Sequence, residues 1–357
     1  MNSKAIRNFG GLLVMASMLC MDSPVRAQST NVVTDPVGFI TLNVEGTNTG
    51  VRYSFLGLGL TQAPSNRGIV SGVSGTHIMV GDTLTAGQFN QTITGTTTNP
   101  VAFIEITSGS KAGLMDDIVS NDTANVFTAS DISSLVSSGQ TYKIYPHWTI
   151  GTVFGATNDV GLTGLTSSAD SDNITVLDPR TQRSVTYYYK GGGIGAKGWR
   201  AVGSSDNQSN AVLYVDQGFY ILRQPVNPVT ISLKLVGGVK LGQTIIPVAA
   251  ADNFVANVYP ATTTLGASGL YTTNAVTGLL GASSSADSDN VEIWNQSLQK
   301  WDTYYYKATG IGTKGWRLVG ASSEASTNTI NSGTMMHIRR LGSTGFNWFA
   351  QQPFTLE

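Results

Sequence analysis

Apolar positions in this chain come in short runs, separated every few residues by polar or glycine-rich stretches. Asn173-Ile-Thr-Val-Leu177 is a β-branched run that ends at the turn signal Asp178-Pro179-Arg180. Ser184 to Lys190 follows, rich in Thr and Tyr, then a glycine loop from Gly191 to Gly198, then Trp199 to Val202. Ala211 to Val215 and Phe219 to Leu222 complete the series. β-Branched and aromatic runs closed by Gly and Asp turns predict strands joined by tight connections. The expected fold class is therefore all-β, with two or three tandem small β-sandwich or barrel-like units. Helix signals are sparse. One short turn is expected over Ser130 to Val136, capped by Ser130 or Asp131.

The series recurs. Ala169 to Gly203 aligns without gaps on Ala286 to Gly320, 117 residues further on, and 20 of the 35 aligned pairs are identical. The shared pieces are Ala-Asp-Ser-Asp-Asn, Thr-Tyr-Tyr-Tyr-Lys, Gly-Ile-Gly-x-Lys-Gly-Trp-Arg and Val-Gly. Identity at this level over a fixed offset marks an internal duplication. The region before residue 146 lacks these motifs. Its opening Asp35-Pro-Val-Gly-Phe-Ile-Thr-Leu is nevertheless echoed by Asn227-Pro-Val-Thr-Ile-Ser-Leu. The organisation expected is a leader over 1–27, an N-terminal β domain over 33–146, and repeat units over 147–243 and 244–357.

The leader reading rests on Lys4 and Arg7, an apolar stretch from Phe9 to Met21, and the small-residue pattern Val25-Arg26-Ala27. It predicts export to the periplasm, the cell surface or the medium. Cleavage after Ala27 removes Cys20, the sole cysteine, so the exported chain is stabilised without disulfides. No later apolar stretch is long enough to span a bilayer, so no membrane span is expected after cleavage. Charged residues are 12% of the chain, about half the usual share, and the net charge is −1 with no basic block. That excludes nucleic-acid binding by clustered Lys and Arg.

Candidate chemistry lies mainly in the repeats. Gly193-Ile-Gly195-Ala-Lys-Gly198 and Gly310-Ile-Gly312-Thr-Lys-Gly315 match a dinucleotide fingerprint, but Trp-Arg and a further Val-Gly turn follow where a helix is required. Both are read as hairpin loops. Asp170 and Asp172, with Asp287 and Asp289, either supply carboxylates to Ca²⁺ or close Asx turns; no other cofactor is expected. Tyr187, Tyr189 and Trp199, with Tyr304, Tyr306 and Trp316, either pack in the core or offer rings to a sugar. His77, His147 and His337 stand in unrelated contexts, and no His or Cys pairing supports zinc. No catalytic constellation is evident, so no enzymatic activity is expected.

The chain resembles an uncharacterised family of exported β-rich proteins known mainly from verrucomicrobial bacteria. The resemblance is carried by Asp35-Pro-Val-Gly-Phe, Ile104-Glu-Ile-Thr-Ser-Gly, Ser138-Gly-Gln-Thr-Tyr-Lys-Ile, His147-Trp-Thr-Ile-Gly-Thr-Val-Phe-Gly155 and the Tyr-Tyr-Tyr to Gly-Trp-Arg segment. It implies export and assigns no functional residue. The function expected is that of a structural or surface-associated protein built from β interaction modules, with self-association or cell-surface polysaccharide as partners. The alternative is a carbohydrate-binding module that uses the Tyr and Trp rings.

Overall fold

A computed structural model describes residues 35–95, 97–178 and 181–355, and residues 35–357 form one body. The leader read over 1–27 lies outside the described residues, as do Pro179 and Arg180 of the first repeat's turn. The fold is all-β, built from several sheets and one closed barrel. Among the described residues, no helix is long and apolar enough to cross a membrane.

In the first copy, strand Asn173–Asp178 pairs with Arg183–Lys190, which pairs through the glycine loop with Gly198–Ala201. Asn173–Asp178 pairs on its other side with Phe219–Arg223. The second copy repeats this with Asn290–Asn295, Lys300–Lys307, Gly315–Leu318 and Met335–Arg340. Even the register matches: Asn173 lies opposite Tyr188, and Asn290 opposite Tyr305. Each copy has its own apolar core. Ile174, Trp199, Phe219 and Ile221 lie in one; Val291, Trp316, Met336 and Ile338 lie in the other. Each such buried side chain contributes roughly 1.5–3 kcal/mol.

The pairing departs from the expected division at residue 146. Arg52–Leu56 does not join the N-terminal strands. It forms the edge of the first copy's sheet beside Phe219–Arg223, as Ala251–Ala256 does in the second copy beside Met335–Arg340. Val37–Val44 pairs along its length with Ile231–Gly238, and Thr244–Val248 pairs likewise with Phe346–Ala350. The Asp-Pro-Val and Asn-Pro-Val echo thus belongs to two stretches at opposite ends of one copy that run beside each other. It does not mark two unit starts. The N-terminal region is an insertion: a closed barrel ordered Thr141–Pro146, Asn66–Ser74, His77–Val80, Asn125–Thr128, Met115–Asn121, Ala102–Ile106, placed between two strands of the first copy. Val70, Ile78, Ile104, Ile106 and Ile118 fill it.

Two local structures follow from capping. The turn expected after Ser130 is present, with Asp131 Oδ1 accepting from Ser133 N at 3.0 Å and Val136 N bonding Ile132 O. A short helix, Ile150–Phe154, was not expected. Thr149 and Thr152 form a capping box around its start.

The copies clasp each other reciprocally. Gln182 in the first hairpin turn donates from Nε2 to Asp252 O at 2.8 Å and accepts from Asp252 N at 3.1 Å. Gln299, its counterpart, donates to Tyr53 O at 3.1 Å and accepts from Tyr53 N at 2.8 Å. Each side-chain amide thereby imitates a neighbouring strand and covers the open edge of the other copy's sheet. Both glutamines have positive φ, 55° and 51°, which the hairpin turn requires.

Candidate functional site

The duplicated aromatic residues are held mainly by packing. Trp199 and Trp316 are 0% and 3% exposed, so neither presents a ring face to a ligand. Trp199 Nε1 donates to Gly155 O at 2.8 Å. Tyr304 is buried, and its hydroxyl accepts from Asn328 at 2.8 Å. Tyr189 and Tyr306 stand edge-on to the tryptophans at 5.4 and 5.7 Å, and Tyr306 also stacks on Tyr271. Tyr187 is half-buried against the first core. The ligand-platform reading is therefore corrected for Trp199, Trp316 and Tyr304, which are buried, and for Tyr189 and Tyr306, which pack on those tryptophans; Tyr187 also lines a cavity described below. A strand between two partners must bury one face, and these rings fill that face.

The Asp-Ser-Asp-Asn segments are closed in the same way. Asp172 is buried; its oxygens accept from Thr163 N and Gln224 N, each at 2.7 Å, and Arg223 Nε lies 2.8 Å away. Asp289 repeats this with Leu280 N, Leu341 N and Arg340 Nη1. Asp170 and Asp287 accept from Ser167 and Ser284 at 2.8 Å in the turns. The paired aspartates thus serve different structural partners and do not converge on a cation. Among the described residues no group of three or more His, Cys, Asp or Glu side chains is placed to hold a metal. The glycine loops are hairpin connections, as expected, and Lys190 and Lys307 close them on Ile194 O and Ile311 O.

Where the two copies meet, an aromatic cleft of about 460 Å³ opens. Its walls include Tyr53, Phe55, Tyr220, Phe254, Trp294 and Trp301, all half-buried. Phe55 lies 4.4 Å from Trp301 and 4.7 Å from Trp294, ring centre to ring centre, and the two tryptophans are 5.1 Å apart. The edge strand carries Tyr53 and Phe55, and the second copy's hairpin carries Trp294 opposite Trp301. Polar atoms sit among the rings. His337 bridges two carboxylates, Glu292 at Nδ1 and Asp252 at Nε2, both at 2.9 Å. Burial would raise Glu292, but the hydrogen bond and charge of His337, with Arg339 at 3.5 Å, hold its carboxyl below the ordinary value.

Leu177 and Phe254 also line a second, larger cavity of about 910 Å³ between barrel and repeats. Here Asp117 accepts from Tyr214 Oη at 2.9 Å and lies 2.9 Å from His147 Nε2. Asp216 keeps some surface open to the cavity yet is enclosed by protein. Burial, helped by the charge of Asp117, pushes its pKa up to about 6 against the opposing pull of its own backbone amide, His147 and Lys240. Burial also raises Asp116, although Ser130 hydrogen-bonds it. Behind the cavity, Lys240 forms a buried ion pair with Glu105 of the barrel. Removing either member would leave a buried charge and costs about 3–5 kcal/mol.

No family model, curated protein or solved structure matches the chain. Of the residues that build the two pockets, sequence reading offers only Tyr187 as a ligand contact, and for a different arrangement; it weighs His147 and His337 only as zinc ligands. One signal was available for the cleft. Trp294 and Trp301 stand where the first copy has Leu177 and Ser184, so both are departures from the repeat. No linear signal joins Asp117, His147 and Asp216, which come from a barrel strand and two separate connections.

Proposed function

We propose that this protein is an exported glycan-binding protein and that the aromatic cleft is its platform. The observation that carries the reading is the concentration of six half-buried rings in one groove, with carboxylate and imidazole groups among them. Pyranose rings present patches of C–H that pack on aromatic faces, while their hydroxyls need hydrogen-bond partners. Tyr53, Phe55 and the two tryptophans supply the first; the half-exposed carboxylate of Asp252 supplies the second. Open clusters of this kind are uncommon on soluble chains unless something covers them. Export comes from the leader-like start of the sequence, and cell-surface polysaccharide is the corresponding partner.

A second reading, self-association as a surface structural protein, has support of its own. On the ribbon formed by Val37–Val44 and Ile231–Gly238, Phe39 and Val236 lie opposite each other and are 77% and 65% exposed. One sample separates the readings. Trp301→Ala is expected to keep the parent's melting behaviour within a few degrees and to lose binding on a glycan array. An array blank for the parent protein, together with sedimentation as a concentration-dependent oligomer, overturns glycan binding in favour of assembly.

A further inference from the structure

The larger cavity has a composition that the cleft lacks. Asp116, Asp117, Asp178 and Asp216 line it, together with His147, Tyr187 and Tyr214, and among the described residues no lysine or arginine does. A low-dielectric concavity lined by one sign of charge concentrates the opposite sign. Acidic residues alone would not make a site, but a second observation is independent of them. Asn99, 5% exposed, also lines the cavity, and its Nδ2 has no hydrogen-bond partner among the described residues. A buried amide donor left unpaired calls for an oxygen acceptor. Leu177 and Phe254 belong to both pockets, so whatever lies on the aromatic cleft adjoins this chamber.

We propose that the cavity is a subsite for a sugar bearing a free amino group, its ammonium facing the aspartates and a ring or hydroxyl oxygen accepting from Asn99. The inference rests on the glycan reading of the cleft and names the class of glycan: an oligosaccharide of deacetylated amino sugars. The roles separate by chemistry. The rings of the cleft bind any pyranose, and the cavity selects for positive charge. Asp117 is held by His147 and Tyr214, and Asp116 by Ser130. Asp216, facing Asp117, His147 and Lys240, is the carboxylate whose environment a bound ammonium changes most.

The test is isothermal titration calorimetry of the full chain at pH 7 with three tetrasaccharides: fully deacetylated chitotetraose, its N-acetylated form, and cellotetraose. The deacetylated oligomer is expected to bind about tenfold more tightly than the neutral ones, the equivalent of one good charge pair. Asp216→Asn is expected to level the three affinities, and Trp301→Ala to weaken all three alike. Asn99→Leu, which leaves every charge in place, is expected to weaken the deacetylated oligomer as well. Equal affinities for the parent protein, or a preference that survives Asp216→Asn in a variant at least as stable as the parent, overturn the subsite and leave the cleft standing. Absence of binding by all three overturns both readings.

Discussion

The two copies share their register, their buried Asp–Arg pair, their loop-closing Lys and their tryptophan core, and differ in what surrounds them. The first copy accepts a barrel between two of its strands; the second makes the same connection with a short loop. The first has Leu177 and Ser184 at the end of its hairpin, where the second has Trp294 and Trp301. The residues held in common turn out to be those that close turns and fill cores. Most of the cleft comes from residues that differ: Tyr53, Tyr220, Trp294 and Trp301 stand where the other copy has Asp252, His337, Leu177 and Ser184, while Phe55 and Phe254 are equivalent; the inserted barrel supplies one wall of the cavity. In a duplicated protein of this kind, repetition reports what folding needs, and departure from repetition marks where to look for function.

Truncation is the strongest way to break the comparison. Trp199→Ala and Trp316→Ala each empty a core position and are expected to cost about 3–5 kcal/mol in urea denaturation, similarly in the two copies. Trp301→Ala, on the half-buried side, is expected to cost clearly less. A core-sized loss there would place Trp301 among the folding residues and weaken its role as a platform.

The next effect depends on pH. Asp216 titrates near 6 in the folded chain and at the ordinary 3.8 when unfolded, so the folded state holds a proton that the unfolded state has released between those values. Stability from this group is therefore full below about pH 4, falls as pH rises towards 6, and stays reduced above it. The cost at pH 8 is about 3 kcal/mol. Asp216→Asn removes that cost. The variant is expected to be more stable than the parent at pH 8 and indistinguishable at pH 4; an equal gain at both would assign the effect to packing.

The smallest effect tests the clasp. Gln182→Ala and Gln299→Ala each remove the two hydrogen bonds that reach the other copy's backbone, Gln299→Ala also one to Gln296 O within its own turn, and each is expected to cost about 1–2 kcal/mol. Because both hold one interface, the double variant is expected to deviate from the sum. Strict additivity would mean that the two contacts act separately.

The strand content and hairpins were legible from the chain alone, because alternation, β-branched runs and glycine turns are local properties. The duplication was legible too, since Tyr-Tyr-Tyr and Gly-Trp-Arg recur at a fixed offset. The same regularity misdirected the site reading: Trp199 and Trp316 recur because each fills a core, and Asp172 and Asp289 recur because each holds a buried arginine. Sequence order also hid the barrel's status as an insertion, since the strands flanking it, Arg52–Leu56 and Trp148–Thr149, belong together only through partners more than 60 residues away. Which side chains meet is decided by such long-range pairing. Phe55 reaches Trp301, and Asp117 reaches His147 and Tyr214, because three segments distant along the chain close on one another, and no local pattern encodes that closure.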